Sequence, residues 1–357
     1  MFKKIAEGDV FATNQPSTSC SGPRTVVLPD GKIMCTFMTN SGSGVNDFAP
    51  MVAYSEDGRN WSEAKKLWPG LEGKLCAFVS SRPTGDGKVS VAGKGWDIAY
   101  PGEMWWSDEE AAMKQNVLLY SLSDDGYNVP EPQKVELPYT GAAEQPGGML
   151  AEGDKLTMIY SPYPVIGHPG ETDLNCMVCM RSTDGGKTWT ASKFAQVEGP
   201  SEYAESWIVR LADGRLLVST WQTASETASN QYFLSEDDGV TFSGPHAQPF
   251  RGQSTAAYPC EDGTALIIYN QRKEGTVGVW VAWEKYNGTE LELLANEPVW
   301  QAYEATKSGT SGDFSQWTDY AFGEPHVCVL PDGKMLAVLW YKRDDTYGIR
   351  YVVFEKE

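Results

Sequence analysis

Short apolar runs, each broken by a polar turn, recur along the whole chain. Thr25-Val26-Val27-Leu28 and Ile208-Val209-Arg210-Leu211 precede such turns, and Leu216-Leu217-Val218 and Met335-Leu336-Ala337-Val338 follow them. The turns are Asp-Gly pairs at Asp30, Asp86, Asp213, Asp262 and Asp332, with Gly153-Asp154 taking the sixth place. Apolar runs this short, bounded by turn formers, read as strand, turn and strand. A second turn lies farther along four of the six units: Ser55-Glu56-Asp57-Gly58-Arg59-Asn60-Trp61, Ser123-Asp124-Asp125-Gly126-Tyr127-Asn128, Ser182-Thr183-Asp184-Gly185-Gly186-Lys187-Thr188-Trp189 and Ser235-Glu236-Asp237-Asp238-Gly239-Val240-Thr241-Phe242. In this pattern Asp caps a tight turn, Gly supplies positive φ, and the aromatic tucks back against the hairpin. Each unit of about 60 residues therefore holds about four strands. That period predicts an all-β fold, a six-bladed β-propeller of four-stranded antiparallel blades. No stretch reads as a linker, so residues 1–357 are expected to form a single propeller domain. The alternating run Ile349-Arg350-Tyr351-Val352-Val353-Phe354 is expected to finish the first or last blade, because propellers close by pairing strands from both ends of the chain.

Charge narrows the partners. The 48 acidic residues outnumber the 29 basic ones, for a net charge of −19. Nucleic acid and anionic membrane both need a basic face that replaces counterions, so neither is expected as a partner. No apolar stretch is long enough to span a bilayer, and Met1-Phe2-Lys3-Lys4-Ile5-Ala6 lacks a hydrophobic signal core. As written, the chain reads as cytoplasmic; a secreted or periplasmic protein trimmed of its signal peptide would look the same. Four of the seven cysteines, Cys35, Cys76, Cys260 and Cys328, lie in or beside apolar runs and read as buried thiols. Cys176-Met177-Val178-Cys179 has metal-ligand spacing, but no second Cys pair or His cluster completes a zinc site, so no metal or cofactor is expected.

Function in a propeller sits where the innermost strands begin. Counting back eight residues from each turn Asp gives Gly22, Phe78, Pro146, Glu205, Ser254 and Glu324. Two of the six are carboxylates, and a pseudo-sixfold axis would bring them together at the channel mouth. The aromatic stretch from Gly93 to Trp106 is expected to wall the same mouth. The segment from Gln301 to Phe322, with Asp313, Trp317, Asp319 and Tyr320, is expected to overhang it.

The turn repeats and the lines Glu205-Ser206-Trp207-Ile208-Val209-Arg210-Leu211 and Gly323-Glu324-Pro325-His326-Val327-Cys328-Val329 resemble the sialidase superfamily, the bacterial neuraminidase repeat family. The resemblance covers essentially the whole chain and implies a set of roles. Asp47, in a Gly-rich loop, resembles the family acid/base. Arg24 resembles the first of three arginines that hold the substrate carboxylate, although it lies about three positions nearer its turn than the family places it. Glu205 resembles the Glu that polarises a nucleophilic Tyr. The chain then departs from the pattern: Trp221 stands where the second arginine is expected, Arg272 and Arg343 are the nearest candidates for the third, and Glu324 replaces the Tyr, with Tyr320 four residues before it.

Those departures bear on chemistry. Three arginines suit a sugar that carries a carboxylate, through charge-assisted bidentate bonds. Without them, and with Glu in place of Tyr, the site suits a neutral anomeric centre. The expected activity is an exo-acting glycoside hydrolase that cleaves a terminal sugar, sialic acid or a related or neutral one, with paired carboxylates, Glu324 with Glu205 or Asp47. Either member of the pair would serve as acid, and Asp97 is as good a candidate as Asp47. Trp96, Trp105, Trp106, Trp207 and Trp221 are candidates for stacking on a carbohydrate. Two other readings stay open. One is a non-catalytic carbohydrate- or protein-binding propeller, in which Glu205 and Glu324 make internal hydrogen bonds with no pocket above them. The other is a lyase or isomerase acting on a sugar acid, in which His326, Tyr320 and Arg272 converge in one cavity.

Overall fold

The structure, a computed structural model, describes the chain except residues 14, 16, 17, 43, 197–202, 224–227, 273, 274, 303–319 and 345. Within the described residues the strands form six antiparallel blade sheets, each laid out in chain order from its first strand outward except the last, and a separate two-stranded ribbon of Trp106–Ser107 and Ala112–Met113. The first strands are Ser19–Val27, Leu75–Pro83, Tyr203–Arg210, Gln253–Pro259 and Phe322–Val329; in the third sheet this strand is split into Ala142–Glu144 and Met149–Glu152. Neighbouring sheets pack through these first strands, and the ring closes where Phe322–Val329 meets Ser19–Val27. The architecture is a six-bladed β-propeller.

The predicted hairpins fall where the Asp-Gly turns place them, between the first and second strands of every blade. Closure differs in detail from the expectation. Thr346–Lys356 is the third strand of blade 6, and the N-terminal strand Phe2–Thr13 is the fourth, in register from Phe2 opposite Lys356 to Thr13 opposite Tyr347. The chain is thus tied shut by its two ends. The side chain of Phe354 is fully buried and makes an edge contact with Phe2 at 5.4 Å between ring centroids.

The four longer turns share one set of bonds. At Asp57 the carboxylate accepts the N–H groups of Arg59 (2.9 Å) and Asn60 (2.8 Å) while Ser55 Oγ accepts Gly58 N–H (2.9 Å). Asp125, Asp184 and Asp237 repeat the arrangement with Asn128, Thr188 and Thr241. All four lie between the third and fourth strands of blades 1 to 4, at the outer edge and far from the axis. They organise the rim and contribute nothing to the centre.

The interfaces between blades are apolar. Met34, Met38 and Val26 of blade 1 meet Leu75, Val79 and Val91 of blade 2, and Leu339 and Phe354 of blade 6 share a cluster with Ile267 and Val281 of blade 5. The seven cysteines are free thiols, six of them buried. No helix among the described residues is long and apolar enough to cross a membrane.

Two outcomes follow. Phe354→Ala opens a cavity in the closing blade and is expected to lower stability by about 3–5 kcal/mol in a urea titration. The outer turns titrate in acid. The Asn128 amide leads the donors at Asp125 and the Thr188 hydroxyl leads those at Asp184, and at Asp57 the donors outweigh a slight burial; all three carboxyls are held down at about 2. A depressed folded pKa means stability that is complete above the ordinary Asp value of 3.8 and is lost as pH falls from there through about 2. Asp→Asn at these three positions is expected to flatten that part of the melting-temperature profile.

Candidate active site

The first strands of blades 1, 4, 5 and 6 share an irregularity that builds the site. Pairing with the second strand skips between Ser21 and Arg24, Ala204 and Trp207, Gln253 and Ala256, and Gly323 and His326. The first residue in each gap has a left-handed backbone: Gly22 at φ 56°, Glu205 at 50°, Ser254 at 50° and Glu324 at 47°. A bulge of this kind re-aims a side chain and leaves a backbone N–H outside the ladder. For a non-glycine residue the conformation is also costly, and such outliers cluster at functional sites.

Three of those N–H groups are taken by carboxylates on the preceding blade. Gly22 N–H donates to Glu324 Oε2 (2.8 Å), Ser254 N–H to Glu205 Oε2 (2.7 Å), and Glu205 N–H to Glu144 Oε2 (2.8 Å). Glu205 also accepts Trp221 Nε1–H (2.7 Å) and the Ser254 hydroxyl. The result is three carboxyl groups spaced around the axis and bonded across blade boundaries. Glu144 lies in the split strand of blade 3, two residues before the Pro146 that counting selected, so sequence reasoning missed it because the strand is interrupted there.

Above them is a cavity of about 600 Å³. Glu144, Glu205 and Glu324 line it, with Lys94 and Arg272 among the cations and Trp96, Trp105, Trp106, Trp221 and Tyr320 among the aromatics. Burial pushes the Glu324 carboxyl up to about 7 against the opposing pull of Arg24, and burial likewise raises Glu144. Arg272 is turned onto protein groups: it donates to Gln253 Oε1 and the Phe322 carbonyl, and its guanidinium lies 4.0 Å from the centre of the Tyr320 ring.

Five of the predicted residues lie elsewhere. Arg24 is buried below the cavity, donating to the carbonyls of Pro23 (2.8 Å) and Glu324 (3.0 Å). Trp207 is buried outside the cavity lining with the guanidinium carbons of Arg24 and Arg82 at 5.2 and 5.3 Å from its ring centre, so it offers no face to a sugar. His326 packs on Trp207, and its Nδ1 faces the N–H and hydroxyl of Thr25 at 3.2 and 3.1 Å; it does not meet Tyr320 and Arg272 in the cavity. Burial, with Arg24 and Arg82 nearby, pushes its pKa well below the usual imidazole value. Asp47 is tied back to the Ser41 N–H (3.1 Å) and hydroxyl, outside the cavity lining. Asp97 is 79% exposed and paired with Lys134 at 2.7 Å, because it ends its strand on the solvent side. Asp313, Trp317 and Asp319 lie outside the described residues.

No family model matches the sequence, and no curated protein is similar to it by sequence. Solved structures are similar in fold. A Dyadobacter fermentans protein of unknown function superposes over 100% of this chain and 99% of its own, with TM-score 0.75 and 16% identity. A Hadza microbial sialidase matches over 93% of this chain and 65% of its own (TM-score 0.65, 14% identity). A Penicillium chrysogenum α-L-arabinanase complexed with arabinobiose matches over 98% of both chains (TM-score 0.59, 16% identity). The chain is a sialidase-like propeller in fold, and that fold also carries an arabinanase.

The raised Glu324 carboxyl has a measurable sign. Its protonated form stabilises the folded state fully below the ordinary Glu value of 4.5, and this contribution is lost as pH rises through about 7. Melting temperatures at pH 5 and pH 8 are expected to fall more for the wild type than for Glu324→Gln, which has no proton to lose there.

Proposed function

We propose that the protein is a glycoside hydrolase that removes a terminal neutral sugar, with Glu324 as proton donor. The observation that carries this reading is a buried carboxyl that holds its proton up to about pH 7, set beside two further carboxylates under an aromatic-walled cavity. In the reaction Glu324 gives its proton to the glycosidic oxygen as the bond to the anomeric carbon breaks. Glu205 faces the positive charge that develops on the sugar ring. Three donors already fill most of its acceptor sites, which favours stabilisation by charge over attack. Water then adds to the anomeric carbon and gives its proton to the ionised Glu324, which restores the acid.

The sugar's neutrality is argued from the lining. Asp108 and Glu110 add to the three glutamates, against Lys94, Arg251 and Arg272 as cations. Arg272 is committed to Gln253, Phe322 and Tyr320, and Trp221 holds the place where an arginine would face a carboxylate. A neutral glycoside meets no repulsion in such a cavity, and the arabinanase with its bound arabinobiose is a precedent in the same fold.

The internal bonds of Glu205 favour one competing reading, a sugar-binding propeller without catalysis. A panel of nitrophenyl glycosides, a sialoside included, separates the two. Turnover of a neutral glycoside is expected, with kcat lowered roughly 10²- to 10⁴-fold in Glu324→Gln. The loss is expected to shrink on dinitrophenyl glycosides, whose leaving group needs no proton. Binding without turnover, or Glu324→Gln and Glu205→Gln both matching wild type, would overturn the hydrolase reading.

A further inference from the structure

Lys94 is the cavity's unexplained cation. It stands in the second strand of blade 2, Val89–Asp97, opposite Phe78 in an inner strand that carries no bulge. The glycines on either side are fixed by close approach: a Cβ at Gly93 would collide with the Phe78 carbonyl, and one at Gly95 with the Leu119 side chain. The strand is thereby pressed into blade 2, and the Lys94 ammonium reaches the cavity between three rings, 5.4 Å from the centre of Phe78, 5.7 Å from Trp96 and 6.0 Å from Trp105. Its side chain is only 9% exposed.

Buried cations elsewhere in the fold are hydrogen-bonded. Arg24 donates to two carbonyls, Arg82 to the Gly147 carbonyl (3.2 Å), and Arg272 to Gln253 and Phe322. Lys94 makes no hydrogen bond among the described residues. It forms an ion pair with Glu144 Oε1 at 3.7 Å, too long for a hydrogen bond. Its donors point into the cavity, where the rings around it offer no lone pair and a ligand oxygen can take them. Glu144 is complementary: its Oε2 is occupied by Glu205 N–H, while Oε1 faces Lys94.

We propose that Lys94 and Glu144 form a clamp for two adjacent hydroxyls of the sugar, the ammonium donating to one oxygen and the carboxylate Oε1 accepting from the other. A 3.7 Å separation leaves each group free to bond its own hydroxyl on neighbouring carbons. The pair is neutral overall, which suits a diol and gives no net attraction to an anion. This inference rests on the proposed function for the kind of ligand and names its class, a neutral sugar with an unsubstituted vicinal diol. Lys94 acts as a specificity residue.

Titration calorimetry reads the clamp without turnover. The full chain is titrated with methyl α-D-mannopyranoside, methyl β-D-galactopyranoside and methyl α-L-arabinofuranoside, each beside its monodeoxy derivatives. In the wild type, removing one hydroxyl of the clamped pair is expected to weaken binding about 10- to 100-fold, the size of a hydrogen bond to a charged group. In Lys94→Met the intact glycoside is expected to bind about as weakly as its deoxy derivative, with little further loss between them. Lys94→Met/Glu144→Gln removes both charges together and is expected to give the same pattern if the single variant folds poorly. A deoxy penalty of undiminished size in either variant, or binding of none of these glycosides by the wild type, overturns the clamp. Diol-dependent binding with no hydrolysis would overturn the hydrolase reading and leave the clamp standing.

Discussion

The centre of this propeller depends on one backbone defect repeated around the ring. Where an inner strand bulges into the left-handed region, an N–H leaves the ladder and needs an acceptor, since a buried unpaired amide costs about 1–3 kcal/mol. The acceptor is a glutamate from the preceding blade in three cases: Glu324 for Gly22, Glu205 for Ser254, and Glu144 for Glu205. The same bonds thus hold neighbouring blades in register and set three carboxyl groups on the floor of the cavity. Structure and chemistry share these side chains, so the acidic floor is present before any ligand arrives.

The differences among the three carboxyls arise from what else each one touches. Glu205 takes three donors; Glu324 takes one and lies near Glu205, so burial and like charge hold its proton while Arg24 pulls the other way. Glu144 has Lys94 beside it. Three carboxyls of one floor therefore divide into an acceptor, a proton reservoir and a charge-paired group. Arg24 and Arg82 are buried against Trp207, and the charge of Arg24 is felt by Glu324, Glu205 and Glu144. Three arginines serving a sugar carboxylate would have to face the cavity; here two of the buried guanidiniums, Arg24 and Arg82, face the protein instead.

The chain's repeats were legible because strand and turn chemistry are local. Asp30, Asp86, Asp213, Asp262 and Asp332 mark hairpins that need only their own neighbours, and four Asp-capped outer turns follow the same logic. Counting back from those turns reached Glu205 and Glu324 because the first strands keep nearly constant length. The count failed in blade 3, where the strand splits and Glu144 arrives two residues early, and in blade 2, where an unbulged strand lets Lys94 of the next strand reach inward. Trp207 and His326 were misjudged for a related reason. Each is two residues after a bulged glutamate, and the bulge that turns the glutamate outward to the cavity leaves these two side chains buried outside it.

By itself, then, the sequence determined the number of blades, the strand count in each, and the presence of acidic residues at the start of two inner strands. These follow from turn residues and apolar periodicity acting over a few positions. Only the tertiary structure decided which of those residues meet. Aim at the centre depends on a bulge of one residue, on glycines that let Val89–Asp97 press against its neighbour, and on the acceptor that each blade offers the next. Such contacts join groups as far apart as Gly22 and Glu324, and no local pattern encodes them.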